Sequence, residues 1–447
     1  MSHAIEEPRT PQVEFAFLLS QVLGEPRDRK CDAEELAERR DERVRSITRF
    51  AYERVPWYGR LMRDAGVIPE DIRTASDLSR LPASGHQQLL ASPQDFLPRG
   101  IGAADLVELK TSGSSGVPRT IFHDVEGMIA GWAVKLRERA VREAFIERPQ
   151  RYRSASLSME GDSAQRVQDH FRVSAPAVWN LIPETRRFST FEDPARIVQG
   201  LKEWKPDHIF GYGSAVGRLF RYVAETGDEF PLPQVVSFSS DSLSDFERHL
   251  IETEFEVPVL GIYGATEAFS IGFECREGPG YHVNQDATYV RVVGANGEDA
   301  APGEPGSVLI SNLVNRGTVL LNYRLGDVAA LVPGPCACGR SLPRIRLLEG
   351  RDYAWIERPG ATAVHPFRLS SALNRLGIER WQIVQPEIDR LIVRVLPTSE
   401  QDRASLVNAV RELVRDVIRP DLEAEVEFPA TLDVTSSGKV LSFVSRL

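Results

Sequence analysis

An α/β fold with a separate, smaller α+β domain at the carboxyl end is predicted by three patterns along the chain. First, from residue 105 to residue 285 short β-rich runs such as 235–238 and 259–263 alternate with helical segments such as 193–205 and 245–255. Alternating strands and crossover helices are the signature of an α/β sheet, in which ligands sit at loops beyond the strand ends. Second, residues 289–293 and 307–310 read as strands joined by a Gly/Pro-rich connection, which predicts a small β subdomain after the α/β part. Third, the pattern changes after Gly350. Runs 381–385, 391–396 and 424–428 are strand-like, and a helix opened by a capping box of Ser399 and Asp402 carries Leu406, Val407, Val410, Leu413, Val414 and Val417 on one face. A large domain over 1–350 and a small domain over 351–447 follow. At 447 residues, 42% of them hydrophobic, the chain exceeds what one core organises.

The amino-terminal part reads as helices broken at prolines: residues 32–65 have helical periodicity and include Tyr52, Val55, Pro56, Trp57 and Tyr58. Asp77, Leu78, Leu81 and Pro82 follow further on. A net charge of −10 offers no basic stripe for a phosphate backbone, so nucleic acid is not expected as a partner. Residues 1–10 are polar and no apolar run reaches a membrane span, so a cytoplasmic location is expected. Four cysteines in so long a chain are too few for a disulfide framework and suit a reducing compartment.

Five short stretches carry chemistry. Thr111, Ser112, Gly113, Ser114, Ser115 and Gly116, flanked by Lys110 and Arg119, combine turning glycines, hydroxyls and cations, which suits a loop that folds over a polyphosphate. The ordinary P-loop spacing is absent, and alone the stretch is equally a Ser/Gly surface turn. Gly261, Tyr263, Gly264, Ala265, Thr266 and Glu267 follow an apolar strand and offer an aromatic ring, a hydroxyl and a carboxylate for a base, a phosphate and a metal ion. Tyr323 to Asp327, then Gly350 with Arg351 and Asp352, then Ser436 to Lys439 complete the set. Each of these last three, taken singly, is a solvated turn or tail.

In this order and spacing the five stretches resemble the core motifs of the adenylate-forming superfamily of acyl-CoA ligases, adenylation domains and luciferases. The Tyr52–Tyr58 run with Asp77 to Pro82 resembles the amino-terminal signature of its phenylacetate–coenzyme A ligase branch. The resemblance implies ATP- and Mg²⁺-dependent activation of a carboxylic acid, aromatic or aryl-like, to an acyl-adenylate, followed by transfer to coenzyme A. An amine or a carrier-protein thiol is the alternative acceptor, and a homodimer is the implied assembly. By position, residues 111–116 would cover the β- and γ-phosphates, Tyr263 would stack on adenine, Thr266 would contact phosphate and Glu267 would hold Mg²⁺. Asp327 would accept the ribose hydroxyls and Arg351 would support ribose or phosphate. Asp352 would be the hinge, and Lys439 would reach the carboxylate and α-phosphate. Ser239, Ser240 and Asp241 stand where relatives carry a glycine and glutamate pair at the adenine pocket. Tyr212, Gly213 and Ser214, with Gly261 and Ala265, would lie beside the acyl group.

Residues 156–163 lack the Tyr- and Gly-rich stretch of phenylacetate ligases, which points away from phenylacetate itself; Glu160 or Asp162 near the acyl pocket would favour an acid carrying an amino group. Gly211, Gly213 and Gly217 loosely imitate a dinucleotide fingerprint, but the spacing is wrong and no acidic residue ends a following strand. An oxidoreductase is the weakest reading, and a degenerate nucleotide-binding regulator is argued against by Glu267, Asp327, Arg351 and Lys439. Cys336 and Cys338 on one tight turn, with Cys275 and His282 seven residues apart, give a Cys₃His set for a closed, structural Zn²⁺ site.

Overall fold

The computed structural model describes residues 32–102, 105–111, 119–149, 151–174, 183–294, 297–351, 356–358, 361–364, 366–398, 401–418, 422–434 and 440–446. Asp32 caps the first helix, Ala33–Arg54, by accepting the Glu34 N–H, and Pro56 opens the next, Pro56–Asp64, at the position where a missing N–H costs nothing. Trp57 stacks on Phe96 with ring centroids 4.8 Å apart. The wholly buried Tyr58 hydroxyl accepts the Leu321 N–H (2.7 Å) and lies 3.2 Å from the Leu321 carbonyl, to which it donates. The aromatic run of the amino-terminal signature therefore fastens these helices to a bend some 260 residues later, just before the strand Tyr323–Val332.

The strands are β1 (Val107–Lys110), β2 (Thr120–His123), β3 (Arg153–Ser158), β4 (Glu184–Ser189), β5 (His208–Tyr212), β6 (Val235–Ser239), β7 (Val259–Ala265), β8 (Phe269–Cys275), β9 (Gly278–Val283), β10 (Thr288–Val293), β11 (Pro305–Asn312), β12 (Tyr323–Val332) and β13 (Arg344–Arg351). β1 and β2 pair as an antiparallel hairpin. The other eleven form one sheet in the order β10-β11-β12-β13-β9-β8-β7-β6-β5-β3-β4. From β4 to β7 neighbours are parallel; from β7 onward they are antiparallel. The strands expected as a small β subdomain thus continue the same sheet to its far edge.

Alternation along the parallel strands separates two faces. Ala155, Leu157, Ile209, Val236 and Phe238 pack on helices Pro194–Trp204 and Gly213–Thr226. The opposite residues of β3 and β5 face helix Val125–Glu143 across a cavity. Gly213 and Gly217 are required by close approach rather than by a nucleotide: a Cβ on Gly213 would lie 2.5 Å from the Ser242–Leu243 backbone, and one on Gly217 2.2 Å from the Glu247 carboxyl carbon.

The carboxyl-terminal part has its own core and its own sheet. Strands β16 (Arg380–Glu387), β17 (Arg390–Leu396), β18 (Glu423–Glu427) and β19 (Phe443–Ser445) are ordered β18-β17-β16-β19, and the hairpin β14 (Ile356–Arg358) and β15 (Ala361–Val364) precedes them. Helix Arg403–Val417 buries Leu406, Val410 and Val414 on this sheet. Its cap differs from the expected box: Asp402 is the cap itself, accepting from the Ser405 N–H (2.8 Å) and hydroxyl (2.7 Å), while Ser399 lies outside the described residues. Among the described residues no helix is long and apolar enough to cross a membrane.

Candidate active site and metal centre

β3 leads to β4 on one side, and the chain then returns to place β5 on the other. The loops beyond these strands consequently diverge and leave a crevice at their carboxyl ends, where ligands bind in open α/β sheets. The cavity found here has a volume of about 510 Å³. Its mouth is lined by Thr111, Arg119, Ser239, Ala265, Thr266, Glu267 and Asp327, and its depth by residues of β3, β5 and helix Val125–Glu143.

The hydroxyl-rich stretch crosses from β1 to β2. Its roots are pinned: the Thr111 N–H donates to the Arg119 carbonyl (2.9 Å), and the Arg119 N–H donates to Thr111 Oγ1 (2.9 Å). Ser112 to Gly116 lie outside the described residues. The Ser163 hydroxyl donates to the Lys110 carbonyl (3.0 Å) and lies 3.5 Å from Thr266 Oγ1, so the loop's root and the Thr266–Glu267 turn share one contact.

Glu267, 3% exposed, is ion-paired with Arg119 at 3.2 Å. Its carbonyl accepts from the Asn312 amide (2.9 Å), which fixes the turn. His123 holds the same turn from beneath: burial keeps its pKa down at about 4, so the neutral ring donates Nε2–H to the Thr266 carbonyl (2.8 Å). Composition and spacing give no sign of His123, because a histidine at the end of a short strand carries no motif of its own.

Tyr263 and Asp327 come together: the phenol donates to Asp327 Oδ2 at 2.8 Å. The Tyr263 ring is 6% exposed, packs in the core, and lies 6.1 Å from the Tyr281 ring. Asp327 faces the cavity while Tyr263 itself does not line it. Register places Arg351 on β13 directly opposite Asp327 on β12; Asp352 and Lys439 lie outside the described residues.

Of the adenine-pocket residues, Ser239 and Ser240 line the cavity, and Ser240 has a positive φ of 75°. Asp241 is turned away from it. Its carboxylate accepts the Ser214 N–H (3.2 Å) and hydroxyl (2.5 Å) at the start of helix Gly213–Thr226. Asp241 and Ser214 therefore serve each other. Tyr212, Gly264 and Ala265 line the cavity, whereas Gly213, Ser214 and Gly261 do not. The Gly261 N–H donates to Glu274 (2.7 Å), and glycine is needed there because a Cβ would meet the Tyr281 hydroxyl at 2.6 Å. Asp162 lines the cavity but accepts from the Gln165 N–H (2.8 Å), and Glu160 is not part of the lining.

The sulfur and histidine ligands converge as their spacing predicted. Cys275 Sγ lies 3.6 Å from Cys336 Sγ and 3.3 Å from His282 Nε2, and Cys338 Sγ is 3.4 Å from the same nitrogen. All four ligand atoms lie within 4.8 Å of one another, and all four residues are buried. Bonds of about 2.3 Å to sulfur around a tetrahedral zinc separate two sulfurs by about 3.7 Å, so the arrangement fits that ion and is far too open for a disulfide. His282 Nδ1 faces the Leu342 carbonyl (3.4 Å), which leaves Nε2 as the ligating nitrogen. Burial pushes the Cys275 thiol up to about 12, so ionising it there calls for a cation.

No family model matches the chain. Among curated proteins it is similar to a phenylacetate–coenzyme A ligase of Thermus thermophilus, 24% identical over 382 residues that span 81% of each chain. One from Escherichia coli K12 is 26% identical over 330 residues, 70% of this chain and 71% of that protein. Protein CapK of Staphylococcus aureus is 19% identical over 92% of this chain and 89% of its own length. Among solved structures a 2-hydroxyisobutyryl-CoA ligase in its postadenylation state aligns with a TM-score of 0.74 at 18% identity, covering 94% of this chain and 91% of that one. The same ligase in its thioesterification state covers the same shares with a TM-score of 0.58. In its ordered motifs and its relatives the chain is similar to the phenylacetate–coenzyme A ligase-like branch of the adenylate-forming superfamily, and it has the fold of an adenylate-forming ligase.

Proposed function

We propose that the chain joins a carboxylic acid to coenzyme A in two half-reactions at this site. In the first, an oxygen of the acid attacks the α-phosphorus of ATP; the new O–P bond forms as pyrophosphate departs with the electron pair. In the second, the coenzyme A sulfur, after losing its proton, attacks the acyl carbon and AMP leaves. The observation that carries this reading is that one cavity holds both parts: the nucleotide-motif residues Thr266, Glu267 and Asp327 at its mouth, and Trp132 and Phe210 along its depth.

Bringing two anions together calls for charge neutralisation and in-line placement more than for a protein nucleophile. Asp327, oriented by the Tyr263 phenol, is placed to accept ribose hydroxyls. Arg119, at the root of the hydroxyl-rich loop, supplies a cation at the mouth. Glu267 with its neighbouring Thr266 hydroxyl suits Mg²⁺, a hard cation that usually takes one or two carboxylates together with substrate phosphates. When bound, Mg²⁺ would neutralise phosphate charge. Lys439 is assigned to the carboxylate and α-phosphate in the first half-reaction. Rotation of the small domain about Asp352 would then withdraw it and open a path for the second acceptor.

Cys275, His282, Cys336 and Cys338 are assigned to a structural zinc, whose full coordination leaves no position for substrate. Thiolate sites of this kind persist in reducing compartments, which supports a cytoplasmic location. Resemblance supports a homodimer. ATP–pyrophosphate exchange across a panel of acids tests the first half-reaction; exchange with none of them refutes the reading. Product analysis tests the second: an acyl-CoA thioester supports it, and an amide or a carrier-bound thioester replaces coenzyme A as acceptor.

A further inference from the structure

The depth of the cavity is unlike a pocket for a plain hydrocarbon or aryl tail. β3 presents Ser154, Ser156 and Ser158 to it at alternate positions, a polar ladder on an otherwise buried strand. Four residues of strand put the lowest serine about 13 Å below the mouth. There Ser154 Oγ lies 3.0 Å from His208 Nδ1, and His208 is 3% exposed. The other ring nitrogen, Nε2, is buried and has no partner among the described residues. Arg142 lines the same end from helix Val125–Glu143; its Nη2 donates to the Tyr152 hydroxyl (3.0 Å), while its buried Nε is unpartnered. Among the described residues no carboxylate pairs with Arg142, whereas Arg139, one turn earlier on the same helix, is paired with Glu143.

Burial and then the Arg142 charge hold the His208 pKa well below its ordinary value, so its ring is neutral. In the tautomer whose Nδ1 accepts from the Ser154 hydroxyl, the ring proton sits on Nε2 as a donor. A guanidinium without a counter-ion among the described residues, beside a buried ring nitrogen that has no described partner, is a site for an oxygen anion. The walls between this point and the mouth are Trp132 and Phe210, which suit a ring or a methylene chain.

Resting on the adenylation reading above, we infer that the acid activated here carries a second carboxylate at its remote end, held by Arg142 and His208. The two acid groups stand on the order of 10 Å apart, the depth of the ladder less the room each group occupies. Phenylacetate lacks the second group, and octanedioate has both.

The test is pyrophosphate exchange by the full chain with octanedioate, 8-hydroxyoctanoate and octanoate, and with 3-(4-carboxyphenyl)propanoate against 3-phenylpropanoate. Expected is a kcat/KM for each diacid at least about tenfold above its monoacid, with the hydroxy acid between, as one charged hydrogen-bonded pair supplies. Arg142→Met should collapse that ratio toward one by weakening the diacid, with the KM for ATP unmoved; His208→Gln, which retains a donor, should lose less. Monoacids favoured by the parent, or a ratio that Arg142→Met leaves standing, would overturn the inference. Exchange with the monoacids alone would overturn it while sparing the adenylation reading. If no acid supports exchange, the adenylation reading falls, and thermal-shift measurements on the full chain decide the remainder. Stabilisation by the diacids over the monoacids, lost in Arg142→Met, upholds the anion site; equal shifts overturn it.

Discussion

Replacing Arg380 by methionine should loosen the small domain from the large one. Arg380 lies on β16 of the small domain and reaches the fully buried Glu247 of the large domain by Nε (3.0 and 3.1 Å) and Nη2 (2.8 Å), with a further bond to the Ser242 carbonyl (2.9 Å). Arg221 closes a four-charge cluster, pairing with Glu247 at 3.2 Å and with Glu379 at 2.7 Å. Removing one partner of a buried pair costs about 3–5 kcal/mol. Because Arg221 and Ser244 remain on Glu247, we expect less than that, about 2–3 kcal/mol, a roughly 30- to 150-fold fall in the ratio of docked to undocked molecules. Burial pushes the Glu247 pKa up, but Arg380 foremost, then Arg221 and Ser244, bring it below the ordinary value. In the parent this contribution is present above the unfolded carboxylate pKa and is lost as pH falls through the folded one. In Arg380→Met the balance reverts to burial, so the gap between parent and variant should be widest near neutrality and narrow as the acid range is approached. Small-angle scattering should show a larger radius of gyration, and the Ser244 and Glu247 amides should exchange faster. Unchanged scattering and exchange at pH 7 would refute the reasoning, because the charges would then be solvated or already compensated.

Other outcomes follow from the same geometry. Metal analysis should find close to one zinc per chain, and Cys336→Ser should lower both zinc content and melting temperature; metal-free protein that melts with the untreated sample would remove the metal from the account. Lys439→Ala should abolish pyrophosphate exchange, by at least about a hundredfold, while leaving ATP affinity largely intact, as expected of a charge needed only in the transition state. Glu267→Gln should raise the Mg²⁺ concentration needed for half-maximal rate and lower the rate itself. It also deprives Arg119 of its ion pair, so a metal response identical to the parent would make Glu267 structural.

The alternation of strand and helix was readable because it is local: residues 193–205 emerge as helix Pro194–Trp204, capped by Asp193 and ended by Lys205 in the left-handed region. Cysteine and histidine spacing was readable for the same reason, each pair being a turn or a hairpin. What stayed hidden depends on partners distant in sequence. Nothing near Asp241 announces that Ser214 takes its carboxylate, and nothing near Glu247 announces Arg380. The glycines at 213 and 217 looked like a nucleotide turn because close approach to a phosphate and close approach to the segment 242–247 make the same demand on a residue. The serine ladder was visible as alternate residues, but its meaning needed the face of β3 to be known.

β13 begins beside the cysteine turn and ends at Arg351, where the chain passes to the small domain. At its first residue Arg344 donates to the carbonyls of Pro279 (3.2 Å), Gly334 (3.4 Å) and Pro335 (3.3 Å), which bracket the candidate metal ligands Cys275, His282 and Cys336. With zinc held by those four residues, the strand would be a lever arm about 26 Å long, bolted at one end to the four-ligand knot and leading at the other to the carboxyl-terminal part. Oxidation of the thiols would slacken the bolt without touching any residue that meets ATP. The step that depends on swinging, hand-over to the second acceptor, should falter before adenylation does, and the enzyme would then stall with its adenylate still bound.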